Sequence, residues 1–311
     1  MDILVLAHRG YRHDRFPEKY PQSGHENSMK AFKFALDKVR GFETDVILSR
    51  QQDIYLVHDT LLDGIVHYEL KTHLDDTSQQ LVGDRFIYQI DTEELSNVKL
   101  KDGQALPRLD DAFELVSHYP NSIINLELKG PNTNDVAIAA VEKAIEKKQI
   151  VAEQIIFSGF NLPGLRDLRN KVGTKYKIGA LFALNTQTKT IMYPQWPDAP
   201  QDAFYTPFNL EENILENEDV KAINPDYFNL EYKTLTEEGI KAIDKFNPSA
   251  KIILWPAGEP HPDEDFYIMN VIEKFAASGK IYAVMSDFPE ILQKAMEEKG
   301  LASPIAGNKL D

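Results

Sequence analysis

Ile3-Leu4-Val5-Leu6-Ala7-His8-Arg9-Gly10 opens the chain with an apolar run that ends in a proton carrier, a fixed cation and a glycine. The run has the length and character of a buried strand. Ending it in His-Arg-Gly puts chemistry at the strand's C-terminal edge, where open and closed parallel α/β sheets build their sites. A lone histidine there is more often a hydrogen-bonded structural residue. What gives it weight is recurrence: Glu26-Asn27, Glu43-Thr44-Asp45, His58-Asp59 and Glu127-Leu128-Lys129 follow, mostly at the ends of further apolar runs.

Those runs set the architecture. Strands are predicted at Ile3–Ala7, Gly41–Leu48, Ile123–Leu128, Gln154–Ser158, Ile178–Leu184, Tyr227–Leu230, Ile252–Trp255 and Ile281–Met285. Amphipathic stretches lie between them at Ser28–Val39, Asp135–Lys148, Leu162–Lys171, Thr236–Phe246, Asp265–Ala277 and Pro289–Glu298. Strand–helix alternation of this kind predicts an α/β protein, a closed (β/α)8 TIM barrel. The competing doubly wound open sheet would want a glycine-rich nucleotide loop after a strand, and none is present.

Two stretches break the rhythm. The polar turn Ser49–Asp53 between two apolar runs reads as a β-hairpin. Centred near Gln51 and Gln52, it returns His58 to the neighbourhood of Asp45. After it, Thr60–Leu106 shows little period of either kind, which predicts an inserted loop or small subdomain over the barrel mouth. Asn185–Asn213, rich in Pro, Gln and aromatics, reads as a further excursion. Residues 1–300 are expected to form a single domain carrying the insertion at about 60–106, with 301–311 as a flexible tail.

Composition narrows the partners. Of 311 residues, 42% are hydrophobic, enough for a large core, and the formal charge of −15 disfavours nucleic acid or an anionic membrane surface. An anionic phosphate substrate would need local cations or a metal. With no cysteine there is neither a disulfide framework nor a thiolate metal site. No apolar run approaches the roughly 20 residues of a membrane span, and Met1-Asp2 leads directly into the first strand. The expectations are therefore a small-molecule partner, no stable membrane insertion and, by default, a cytoplasmic location; a processed secreted chain would read the same. The oligomeric state is not legible.

Glu43 and Asp45, two apart on a strand, point to the same face. Two carboxylates held together repel unless a cation or proton lies between them. They could be satisfied by Arg or Lys, but Glu127 ends another strand, and three oxygen donors around one cavity suit one hard divalent cation, Mg²⁺ or Ca²⁺. Mn²⁺ and Zn²⁺ are less expected. Lys129 could simply pair with Glu127, or could meet a phosphoryl oxygen beside Arg9, whose planar fork suits phosphate. His8 and His58 then form an acid–base pair.

This set resembles the glycerophosphodiester phosphodiesterase family. The matching elements are His8-Arg9-Gly10, Glu26-Asn27, Glu43-x-Asp45, His58-Asp59 and Glu127-x-Lys129. Pro107-Arg108-Leu109 resembles the family's start of a helix, and Trp255 stands where a strand-seven tryptophan lines the pocket. The resemblance is densest over residues 3–130. It implies a (β/α)8 barrel that hydrolyses phosphodiesters with a divalent metal. By it, His8 and His58 are the catalytic pair, with His58 as acid and His8 as base. Glu43, Asp45 and Glu127 hold the metal, Arg9 and Lys129 contact phosphate, Trp255 lines the substrate pocket, and Glu26, Asn27 and Asp59 support the site. The sequence departs from the family at His25-Glu26-Asn27-Ser28, where Pro and Thr usually flank Glu-Asn, in a longer loop that carries Arg12, and in a last strand without the usual glycines that keeps only Asp287-x-Pro289.

The implied reaction is hydrolysis of glycerophosphodiesters to sn-glycerol 3-phosphate and an alcohol. A lysophospholipase D or sphingomyelinase D-like enzyme would share the barrel and the two-histidine design but would need an apolar groove for an acyl chain. A catalytically silent barrel acting as a binding protein is the reading from another class.

Overall fold

In the computed structural model the described residues are 2–12, 24–58, 60–62, 65–67, 74–83, 85, 87–130, 132–182, 214–256 and 263–305. The expected site residue Asp59, the excursion at 185–213 and the end of the tail lie outside them. The main sheet contains β1 (Leu4–Ala7), β2 (Gly41–Leu48), β3 (Ile54–Leu56), β6 (Ile123–Leu128), β7 (Ile155–Gly159), β8 (Lys177–Phe182), β9 (Tyr227–Glu231), β10 (Lys251–Trp255) and β11 (Ile281–Ser286). A separate short hairpin is made by β4 (Thr60–Leu62) and β5 (Ile65–His67).

Eight of these strands run parallel and close on themselves. β1 pairs with β11 through Leu4↔Ala283 to Ala7↔Ser286, and with β2 at Ala7↔Phe42, which completes the ring. β3 lies outside it, antiparallel to β2. The closed barrel expected from the sequence is thus the fold.

Alternation along β1 shows how the ring is packed. Val5 and Ala7 face outward into the large cluster shared with the helices, and Leu6 faces inward with Ile156, Tyr227, Ile253, Ala283 and Met285. Each such fully buried aliphatic or aromatic side chain contributes on the order of 2 kcal/mol. At the base of β2, Gly41 is required by close approach, since a Cβ there would stand 1.9 Å from the Ile123 carbonyl oxygen.

The surrounding helices follow the predicted order. α1 (Met29–Leu36) is capped by Ser28, whose Oγ accepts the Ala31 N–H at 3.1 Å. Within the predicted insertion lie two short helices that the sequence did not announce, α2 (Asp76–Val82) and α3 (Thr92–Leu95). Their neighbours Leu74, Ile87, Ile90 and Val98 form a second cluster with Ile47, Tyr55, Phe160 and Leu181. α4 (Leu109–Val116) begins directly after Pro107-Arg108. α5 (Thr133–Glu146) starts two residues before the expected Asp135, and α6 (Leu162–Val172) follows β7. The six-residue α7 (Glu218–Ile223) is too short to show a period. α8 (Glu237–Phe246), α9 (Glu264–Phe275) and α10 (Pro289–Glu298) complete the wall. No described helix is long and apolar enough to cross a membrane.

Candidate active site

The C-terminal ends of β1, β2 and β6 place the chemistry. After Ala7 the backbone turns sharply: Arg9 has φ +58° and Gly10 φ +77°. A left-handed arginine is strained by about 1 kcal/mol, which the site must over-determine. Here the Arg9 N–H donates to Glu43 Oε2 at 2.9 Å, and the Arg9 carbonyl accepts the Asn27 N–H at 2.8 Å. The turn is therefore fastened at both of its peptide groups.

The predicted hairpin delivers His58. β3 pairs with β2 through Val46↔Leu56, and the Val57 N–H donates to the Asp45 carbonyl at 3.1 Å. His58, the next residue, is buried at the barrel mouth. His8, Arg9, Glu43, His58, Glu127 and Lys129 line one cleft together with Phe160, Leu181, Trp255 and Met285. One wall is charged and the other apolar. Trp255 stacks edge-on to Phe160 with ring centroids 5.7 Å apart, and its Nε1–H donates to the Asn229 carbonyl at 3.3 Å.

Glu43, Asp45 and Glu127 each offer a carboxylate oxygen, and these lie within 4.8 Å of one another. Lys129 Nζ stands 2.9 Å from Asp45 Oδ1 and 3.2 Å from Glu127 Oε1. Asn27 donates from Nδ2 to Asp45 Oδ2 at 3.0 Å and accepts from Thr44 Oγ1 at 2.7 Å, so it fixes the Asp45 rotamer. Burial, then the neighbouring Asp45 and Glu127, push the Glu43 carboxyl well above its usual range, and Glu43 Oε1 is buried without a hydrogen-bond partner among the described residues. Three buried carboxylates against Lys129 and a shared Arg9 leave negative charge to be neutralised. An all-oxygen donor set with an orphaned buried oxygen fits a hard divalent cation.

Burial, then the Arg9 and Lys129 charges, hold the His58 imidazole well below its usual pKa, against the opposing pull of Asp45 and Glu26. His8 is oriented differently. Its Nδ1 lies 2.9 Å from Asp287 Oδ1, and its Nε2 lies 4.0 Å from Glu43 Oε2. Burial raises the Asp287 carboxyl, but Arg12 and His8 outweigh it and hold that group well below the ordinary range. Glu26 meets Arg9 Nη1 at 3.2 Å and also pairs with Arg12.

Of the residues singled out from the sequence, the described ones converge at this mouth; Glu26 and Asn27 stand one layer back, on Arg9 and Asp45. Two residues were not singled out, Arg12 and Asp287. The only signal for Asp287 was the Asp-x-Pro end of the last strand, and for Arg12 its place in a long loop after His-Arg-Gly.

Residues 8–290 match the sequence profile described as the glycerophosphoryl diester phosphodiesterase family. Among solved structures, the chain is similar to a glycerophosphodiester phosphodiesterase from Thermotoga maritima at 25% identity, covering 95% of this chain and 99% of that one with a TM-score of 0.58. A phosphodiesterase from Oleispira antarctica, solved with the product sn-glycerol-3-phosphate, aligns at 19% identity over 94% of this chain and 96% of its own, with a TM-score of 0.61. A glycerophosphodiester phosphodiesterase from Parabacteroides distasonis aligns at 17% identity over 96% and 98%, with a TM-score of 0.62. No curated relative matches the chain by sequence. With a profile match that begins at His8 and runs to the start of the last helix, the chain belongs to the glycerophosphoryl diester phosphodiesterase family and is an enzyme of that class.

Proposed function

We propose that the enzyme hydrolyses glycerophosphodiesters to sn-glycerol 3-phosphate and an alcohol, by metal-dependent acid–base catalysis with His8 and His58. The observation that carries this reading is the cleft itself, where two histidines flank three carboxylates and two cations. Glu43, Asp45 and Glu127 would hold one divalent cation, Mg²⁺ or Ca²⁺, which when bound supplies electrostatic stabilisation of charge on the phosphoryl oxygens.

The remaining roles fall to the chain's own groups. Arg9 and Lys129 offset the phosphodiester charge. His8, backed by the Asp287 carboxylate, accepts a proton at Nε2 from the attacking oxygen as it bonds to phosphorus; that oxygen is water, or the neighbouring glycerol hydroxyl, in which case water opens the resulting cyclic phosphate in a second step. His58 donates a proton to the departing alkoxide as the P–O bond breaks. An anionic substrate beside His58 opposes the depression caused by Arg9 and Lys129, favouring the charged imidazole the step requires. Glu26 and Asn27 steady Arg9 and Asp45, and Trp255 shapes the wall beside the leaving group.

The apolar wall of Phe160, Leu181, Trp255 and Met285 supports a second reading, a lysophospholipase D-like preference for a substrate with an acyl chain. Turnover of glycerophosphocholine and lysophosphatidylcholine, each with added Mg²⁺ or Ca²⁺, decides between them. Faster release of choline from glycerophosphocholine is expected. A reversed preference favours the second reading, and no turnover of either overturns both.

A further inference from the structure

Arg12 is absent from the cleft lining, yet its guanidinium is buried between two carboxylates that serve different cleft residues. Nε donates to Asp287 Oδ1 at 3.0 Å, and Nη1 pairs with Glu26 Oε2. Asp287 in turn holds His8 through Nδ1 at 2.9 Å, while Glu26 accepts from Arg9 Nη1 at 3.2 Å and 3.4 Å. The run His8–Asp287–Arg12–Glu26–Arg9 thus starts and ends on two consecutive residues whose side chains diverge, because Arg9 takes a left-handed backbone.

The chemistry of that run is directional. A carboxylate paired with a buried guanidinium stays ionised and accepts only. The nitrogen His8 presents to Asp287 must then carry the hydrogen, which leaves Nε2 as the bare nitrogen on the side of Glu43 and the cleft. Remove Arg12 and two buried carboxylates lose a shared cation, so Asp287 is free to take a proton or turn away. Either change releases the His8 ring.

We propose that Arg12 is a positioning residue for catalysis: by bridging Asp287 and Glu26 it fixes the tautomer and orientation of His8. This rests on the reading of His8 as a proton-transfer group. Lysine keeps the charge but has no planar fork to reach Asp287 from Nε and Glu26 from Nη1, so Arg12→Lys restores part of the function and Arg12→Met none.

The test is a double-mutant cycle on glycerophosphocholine with the metal-supplemented enzyme, using Arg12→Met, Arg12→Lys, His8→Ala and the two double variants. Arg12→Met is expected to lower kcat about 10- to 100-fold with KM changed by less than about threefold, the scale for losing a partner that orients an active-site ligand. Arg12→Lys should fall between it and wild type. In the His8→Ala background the same substitutions should cost no more than about threefold, since residues acting through one another are not additive. Heteronuclear NMR of histidine-labelled enzyme should show a protonated Nδ1 and bare Nε2 at His8 in wild type, and mixed tautomers in the Arg12 variants. Should Arg12→Met fail to fold, Arg12→Lys carries the cycle and the NMR comparison. Equal losses in both backgrounds, or an unchanged His8 tautomer, overturn the proposal. Full activity of His8→Ala instead overturns the acid–base reading beneath it.

Discussion

Lys129 places its ammonium 2.9 Å from Asp45 Oδ1, with both side chains sealed from solvent. Burial alone would raise the Asp45 carboxyl, but Lys129, His58 and Arg9 together draw it down to about 2. One carboxylate of the trio is thereby kept ionised by the protein itself, while Glu43 and Glu127 stand above their ordinary range. The barrel mouth's three carboxylates are only partly compensated by its own cations and could hold a metal ion.

Lys129→Met should therefore cost both stability and activity. Breaking a buried ion pair from one side leaves an uncompensated charge, at about 3 kcal/mol or more. A urea midpoint equal to that of wild type would show that the contact contributes little.

Metal binding should be visible without turnover. If Glu43, Asp45 and Glu127 share one divalent ion, saturating Mg²⁺ or Ca²⁺ should raise the Tm of wild type, by roughly the equivalent of 2.7 kcal/mol at a hundred times Kd. Glu43→Gln should abolish that rise, and exhaustive chelation should inactivate wild type reversibly. Full activity after chelation would remove the metal from the mechanism.

Gly41 gives a purely structural test. A methyl group there meets the Ile123 carbonyl oxygen at 1.9 Å, in the ladder that sets Glu43 beside Asn125 and Asp45 beside Glu127. Gly41→Ala should disturb the β2–β6 register and destabilise the barrel by several kcal/mol, on the scale of overpacking or worse. A crystal structure with unmoved strands and an unchanged Tm would contradict this.

A second acidic group lies behind the site. Burial, then the charges of Asp287 and Glu264, push Asp265 up to about 8 against the hydrogen bond from Ser286, and burial and Asp287 carry Glu264 up to about 7. The folded protein thus retains protons that the unfolded chain releases near pH ~4. Stability should be fully present below that pH as far as these groups are concerned, and should fall as pH rises toward 8. Asp265→Asn, which never ionises, should flatten the decline in urea midpoint between pH 5 and pH 9. Identical slopes in the two proteins would rule Asp265 out as a source.

How much of this could be read from residues alone differs by element. β1, β2 and β6 announced themselves because apolar alternation and terminal charged residues coincide there. The β2–β3 hairpin was legible because a polar turn separates two apolar runs of matching length, and this placed His58 beside Asp45 in advance. The helices α2, α3 and α7, at seven, four and six residues, are shorter than the window in which a 3.6-residue period can emerge. Arg12 and Asp287 were illegible for another reason. Their partnership spans 275 residues, and neither stands in a local pattern that names the other.

The two histidines carry the sharpest test. His8→Ala and His58→Ala should each reduce turnover of an alkyl diester by about two to four orders of magnitude, the usual cost of a positioned acid or base. Their response to the leaving group should differ. p-Nitrophenolate departs without protonation, so the variant lacking the acid should recover much of its activity on bis(p-nitrophenyl) phosphate, and the variant lacking the base should not. The structure supports assigning the base to His8, because the Asp287 carboxylate stands against its Nδ1 and stabilises the imidazolium formed when Nε2 takes a proton. Burial, Arg9 and Lys129 hold His58 well below its usual pKa, and an anionic substrate that offsets those charges favours the protonated form an acid needs. Recovery is thus expected for His58→Ala alone. Recovery in His8→Ala instead would exchange the roles, and two folded variants with full activity on the alkyl diester would end the two-histidine mechanism.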